Sequence, residues 1–144
     1  MSLIRITDEI VCPCPSEKAL DLLQDLTNIQ KYEPKVESAQ VYPTDHKSGF
    51  YAVSGLFAGL PWKGKFSYEH TEKGFHSEMQ EGPLAGKVRG GFVVSRQSDI
   101  ACKIVHYEEY EFPSGLFLLT PFLRTYLRRA IKKELQLISL SISK

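Results

Sequence analysis

At 144 residues the chain is long enough to bury a sizeable core and is most simply read as one domain, residues 1–144. Its 18 Lys+Arg against 17 Asp+Glu leave a formal net charge of +1, which nominates no nucleic-acid partner, and its 42% apolar and 24% charged content is that of a globular protein. No apolar run approaches the ~18 residues of a membrane span and the first residues lack the apolar core of a signal peptide, so the chain reads as cytoplasmic.

The first ten or so residues alternate, with Ile4, Ile6, Ile10 and Cys12 on one side and Arg5, Thr7 and Glu9 on the other, which predicts a strand. Pro13 and Pro15 end it. Pro15 and Glu17 suit the first turn of a helix whose apolar side is Ala19, Leu20, Leu23 and Leu26. A break at Thr27-Asn28 and a second short helical turn through Tyr32 follow, closed by Pro34.

From Val36 the texture changes to short alternating runs separated by turn chemistry. Six further strands are expected over residues 35–42, 48–57, 62–71, 74–81, 86–97 and 99–112. The turns between them are too short for crossover helices, so neighbours pair antiparallel. Alternation assigns Trp62, Gly64, Phe66, Tyr68 and His70 to one face, opposite Lys63, Lys65, Ser67 and Glu69. The same face receives Phe75, Ser77 and Met79, then Val88, Gly90, Phe92 and Val94, then Ile100, Cys102, Ile104, His106, Glu108, Tyr110 and Phe112. For the run 48–57 the phase is ambiguous. Gly64, Gly90 and Gly91 are placed to let the sheet bend.

The last stretch, 116–143, carries apolar residues at helical spacing: Leu119, Phe122, Leu123, Tyr126, Leu127, Ala130, Ile131, Leu135, Leu137, Ile138, Leu140 and Ile142. Thr120 is the expected cap and Pro121 the first helical residue. A helix of about 24 residues is roughly 36 Å long and crosses a small domain. Its arc is too wide for a coiled-coil seam and implies a concave surface around it. Glu134 falls near the middle of that arc.

This order of elements, with Pro15-Ser16-Glu17-Lys18-Ala19-Leu20-Asp21-Leu22-Leu23, Tyr32-Glu33-Pro34-Lys35-Val36 and Ile104-Val105-His106-Tyr107-Glu108, resembles the START-like (SRPBCC) superfamily, in particular its polyketide cyclase/dehydrase and lipid-transport group. The resemblance runs over nearly the whole chain, although relatives usually carry Trp where this chain has Tyr32. It implies an α+β helix-grip fold: a seven-stranded curved antiparallel sheet wrapped around a long C-terminal helix, with two short helices after the first strand. It also implies an apolar cavity between sheet and helix. The fold hosts carriers, cyclases, hydrolases and receptors, and does not by itself supply a function.

The leading expectation is binding or transport of a hydrophobic small molecule (a lipid, isoprenoid or polyketide-like compound). The expected cavity wall is Trp62, Phe66, Tyr68, Phe75, Met79, Phe92, Ile104, His106, Tyr110, Tyr126 and Ala130. No cofactor and no metal are expected, and no catalytic residue is assigned in this reading. The alternative is a cyclase or dehydratase using His106 with Glu108 or Tyr110, which stand at alternate positions of one strand face. The blander view of that trio is a strand end leaving the core. A third reading is an interaction protein with a closed core.

Other features carry less. Glu134 either faces the interior, partnered by His106 or His70, or reaches an edge through a slight rotation of the helix, the simpler reading. Cys12-Pro13-Cys14 lacks further ligands at metal spacing and reads as a buried Cys12 beside an exposed Cys14. The run 86–91 lacks a phosphate-loop ending. Arg124, Arg128, Arg129, Lys132 and Lys133 form a basic helix face that is usually just solvated, but that would also suit contact with an anionic membrane surface. Oligomeric state is not legible.

Overall fold

The computed structural model describes residues 2–142; Ser143, the end of the expected helix stretch, lies outside them with Met1 and Lys144. The alternating N-terminal run forms β1 (Ser2–Cys12), and the proline-bounded segment after it forms α1 (Ser16–Gln24), which buries Ala19 and Leu23. One tight turn at Leu26–Asn28, with Thr27 N–H donating to the Asp25 carboxylate at 3.2 Å, leads into α2 (Ile29–Tyr32). The remaining strands are β2 (Ser38–Pro43), β3 (Ser48–Phe57), β4 (Leu60–Thr71), β5 (Gly74–Glu81), β6 (Val88–Ser98) and β7 (Ala101–Phe112). They form one seven-stranded sheet in the order β1-β7-β6-β5-β4-β3-β2, with every neighbouring pair antiparallel. The chain therefore meanders from β2 to β7, and β1 closes against the last strand.

Four strand starts differ from the sequence expectation. β2 begins at Ser38 rather than residue 35, because Val36 N–H donates to Glu33 O at 3.0 Å and folds residues 33–36 into a turn. β4 begins at Leu60 rather than residue 62: only Ala58 (φ 49°) and Gly59 (φ 84°) lie between the paired Phe57 and Leu60. Two consecutive positive φ values make this a tight hairpin matched to the twist of the strands. β6 begins at Val88 rather than residue 86, because Gly86 (φ 74°) and Lys87, whose N–H donates to Leu84 O at 2.9 Å, still belong to the turn. β7 begins at Ala101, so Ile100, expected on the inner face, sits in the preceding turn and is exposed. In the ambiguous strand β3, Gly49, Tyr51, Val53 and Gly55 are the buried set.

The long helix α3 (Thr120–Ile142) packs along β1 and against α2, and the sheet curves around it. Thr120 is not its cap: it already has helical dihedrals (φ −53°, ψ −45°), and a tight turn over Ser114–Leu119 runs straight into the helix. The buried stripe is Leu123, Leu127, Ala130, Ile131, Glu134, Leu135, Ile138 and Ile142. This is narrower than the expected arc, since Leu119, Phe122 and Leu140 are exposed. Sheet and α2 embrace only part of the helix circumference. Glu134 lies within the stripe and is 1% exposed, so the helix is not rotated to bring it to an edge. Cys14 is also buried rather than exposed: Cys14 N–H donates to Cys12 O at 2.9 Å, which folds the chain back and brings Cys14 Sγ to 3.8 Å from Cys102 Sγ.

Candidate functional site

Between the inner face of the sheet and α3 lies a cavity of about 690 Å³. Its walls are largely apolar: Trp62 and Phe66 from β4, Phe75 and Met79 from β5, Phe92 from β6 and Leu123 from α3. Exposed lining residues mark its mouth. These are Leu60 at the β3–β4 hairpin, Leu116 and Leu119 in the turn before α3, and Phe122 in its first turn.

Against this apolar wall stands a buried group of five charged side chains, Glu33, Lys35, His106, Glu108 and Glu134. The turn at 33–36 supplies the first two. Gly55 lets that turn seat on β3, since a Cβ there would lie 2.0 Å from Lys35 O. Trp62 Nε1–H donates to the same carbonyl at 2.9 Å. Lys35 Nζ then reaches Glu33 Oε1 at 2.9 Å and Glu108 Oε2 at 3.3 Å. His106 stands beside Glu108 on the inner face of β7, its ring stacked on Phe92 with centroids 3.9 Å apart. Its Nδ1 is 2.8 Å from Gly91 O, and a carbonyl only accepts, so Nδ1 carries a proton. Its Nε2 approaches Glu134 Oε1 at 3.2 Å and Glu108 Oε2 at 3.4 Å, close contacts without hydrogen-bond alignment. Tyr32, fully buried, meets Phe92 edge-on at 6.0 Å and leaves its hydroxyl without a partner.

The electrostatics follow from burial set against pairing. Burial works against the Lys35 ammonium, but Glu108 and Glu33 outweigh it and raise its pKa well above the ordinary value. Burial would raise the Glu108 carboxyl, yet Lys35 and His106 hold it down at about 2. Burial opposes charge on His106, and Glu134 and Glu108 overcome it, lifting the imidazole to about 10. Glu134 goes the other way: burial and the nearby Glu33 push it up to about 8 against the pull of His106. Three carboxylates face two cationic side chains, so the third, Glu134, is the one left to hold a proton.

No family model and no curated protein matches the chain in sequence. Solved structures match it in shape. TTHA0849 from Thermus thermophilus is similar at 18% identity, with 97% of each chain covered and a TM-score of 0.86. A START superfamily protein from Mycobacterium smegmatis is 7% identical, with 96% of this chain and 97% of that one covered and a TM-score of 0.80. The chain has the START-like, helix-grip fold. The same START-like frame is shared by Zhui aromatase/cyclase from Streptomyces sp. R1128, at 10% identity, a TM-score of 0.79, and 99% and 94% coverage of the two chains.

Within this START-like frame the expected wall residues separate into two groups. Trp62, Phe66, Phe75, Met79, Phe92, His106 and Tyr110 line the cavity. Tyr68, Ile104, Tyr126 and Ala130 do not. Tyr68 lies further along β4, opposite Gly49 and Ser77, toward the β4–β5 turn. There Gln24 of α1 donates to Thr71 O and Gly74 O and closes the sheet end. Ile104, paired with Ile10 and Val94, is fully buried nearer the Cys102 end of β7. Tyr126 is half-buried against Phe57 at 5.0 Å, and Ala130, one turn before Glu134, is buried without reaching the cavity.

Sequence reasoning named Glu33 and Lys35 within a stretch that carries the resemblance, but not as site residues. The available signal was two opposite charges flanking Pro34, between a helix ending in apolar Tyr32 and a strand. A solvated loop has the same composition, so pattern alone does not separate the two.

Proposed function

We infer that the protein binds a hydrophobic small molecule in this cavity, with the polar end of the ligand set against the Lys35–Glu108–His106 group. The observation that carries the reading is a roomy apolar cavity whose polar groups are gathered in one place. Apolar wall area supplies affinity in such sites and a few convergent polar groups supply orientation. The exposed apolar mouth, on a protein whose α3 also carries exposed basic residues, fits a ligand drawn from an anionic membrane surface. Trp62 is the chain's one tryptophan and reports on the cavity directly. Titration with 1-anilinonaphthalene-8-sulfonate or a long-chain fatty acid is expected to change its emission saturably. Phe92→Leu removes part of the wall and should weaken binding about threefold to tenfold, equivalent to about 0.7–1.4 kcal/mol. Lys63→Ala, on the opposite sheet face, should leave it unchanged. Equal effects from the two substitutions, or no saturable probe binding, would argue for a closed core.

A second reading is favoured by one observation, the contact of His106 with Glu134 at the cavity wall, an acid/base arrangement beside space for a substrate. A likeness in fold to an aromatase/cyclase supports looking for it. Under this reading His106→Asn lowers turnover of a polyketide-like polycarbonyl substrate about 100-fold or more while binding persists. Under the carrier reading the same change costs only one hydrogen bond, about threefold to tenfold in Kd. Measuring both quantities on both proteins separates the two, and absence of turnover in the unsubstituted protein rejects the enzyme.

A further inference from the structure

Four of the buried charged groups come from three separate parts of the fold: Glu33 from the turn after α2, His106 and Glu108 from β7, and Glu134 from α3. One nitrogen or oxygen from each lies within 4.8 Å of those of the other three. Such convergence of carboxylates away from water needs positive charge among them. Lys35 contacts only Glu33 and Glu108, among these four.

The orientation of His106 adds an independent observation. Its Nδ1–H is held by Gly91 O at 2.8 Å, the arrangement that commonly fixes a metal-ligating imidazole. Nε2 is thereby aimed at two carboxylate oxygens, at 3.2 and 3.4 Å, and has no aligned hydrogen bond. Glu134 Oε1 and Glu108 Oε1 are likewise buried without a hydrogen-bond partner. His106 is 5% exposed, Glu108 8% and Glu134 1%, so water does not meet these needs freely. A lone pair on Nε2 facing carboxylates is repulsive, so in the metal-free protein a proton stands on Nε2, and a metal ion bound there takes that proton's place.

Two of the spacings already suit a metal ion, and the four donor atoms, within 4.8 Å of one another, would close in further on binding one. Ligand atoms 2.0–2.1 Å from a tetrahedral centre are ~3.3–3.4 Å apart, and both His106 contacts are close to that edge length. The charge fits as well. Three carboxylates and Lys35 sum to −2, and a divalent cation with a neutral imidazole brings the group to zero. One imidazole nitrogen with carboxylate oxygens suits Zn2+, Co2+, Fe2+ or Mn2+ better than a thiophilic ion.

We propose that His106, Glu108 and Glu134, with Glu33 as the fourth ligand, bind one divalent transition-metal ion at the wall of the cavity. The site does not depend on the carrier reading: the ion binds whether or not an apolar ligand does. Beside the cavity it would also offer a Lewis-acidic contact to a carbonyl or carboxylate entering there.

The test uses Co2+ and Zn2+ on the chelator-stripped protein. Binding of one equivalent of Co2+ with the intense visible bands of tetrahedral coordination, displaced by Zn2+, is the expected result. Glu134→Gln and His106→Asn, each checked for folding by circular dichroism, should weaken Co2+ binding by about 100-fold or more, beyond the 10–100-fold typical of losing an outer-shell contact. X-ray absorption of the Zn2+ complex gives an answer even if neither variant folds. A shell of nitrogen and oxygen with one imidazole supports the site, and sulfur in the shell assigns the ion to the cysteines and overturns it. Absence of binding at millimolar metal, or binding retained by both variants, overturns it equally. Binding of an apolar probe in EDTA is read separately, so failure of one reading leaves the other standing.

Discussion

Lys35→Met is expected to lower the unfolding free energy at pH 7 by about 3–5 kcal/mol, the range for removing one partner of a buried ion pair. The methionine fills nearly the same volume, so the loss is electrostatic rather than a cavity. Without the ammonium, Glu33 and Glu108 lose the cation that Lys35 places at 2.9 and 3.3 Å, and both carboxylates remain buried. Protonation would relieve them, so the deficit should shrink as the pH is lowered toward 4. Adding Glu108→Gln to Lys35→Met removes one of the stranded charges and should recover part of the loss. Urea melts of the three proteins at pH 7 and pH 4 check this. A deficit below about 1 kcal/mol, the range of exposed ion pairs, would show that Lys35 is solvated and the buried group is not assembled.

Stability should fall by about 3 kcal/mol between pH 7 and pH 9. His106 is lifted to about 10 in the fold, against about 6.5 in an unfolded chain. Its contribution is therefore complete below about pH 6.5 and is lost as the pH rises through 10. Glu134, at about 8 in the fold against about 4.3 unfolded, has the same sign: ionising it costs stability as the pH climbs from 4.3 to 8. Glu108 opposes them only in acid, its contribution being present above about pH 4.3 and lost as the pH falls to about 2. Across pH 7 to 9 the fold thus holds at least one proton more than the unfolded chain, worth about 1.4 kcal/mol per pH unit. Melts in EDTA at pH 5, 7 and 9 measure it, and the double variant His106→Asn with Glu134→Gln should flatten the profile. Stability that is level or rising from pH 7 to 9 would contradict the charge assignment.

Alternation along the chain was enough to place His106, Glu108 and Tyr110 on one inner strand face, with Phe66, Phe75, Met79 and Phe92 across the same concave surface. Period two is a property of each strand by itself, and where one face is buried it leaves little choice of register. Helical spacing likewise put Glu134 among the apolar residues of α3, where it is buried. Sequence could not rank that position against a rotated helix, because the counterion that makes its burial tolerable comes from β7.

The residues that sequence placed wrongly share one cause. Tyr68 and Ile104 have the correct face but the wrong end: alternation says in or out, and not which end of the sheet α1 covers. Glu33 lies in no periodic segment and Lys35 only at the first position of an expected strand, and their burial depends on Gly55 and Trp62, 20 or more positions further along the chain. Cys14 is hidden by a turn that brings it to Cys102, 88 residues away. What the sequence alone determined, then, is the set of elements, their antiparallel order and the inward faces, since these follow from local period and turn length. The buried charged group was decided by tertiary structure, because its cations and anions meet only when the 33–36 turn, β7 and α3 are brought to one wall.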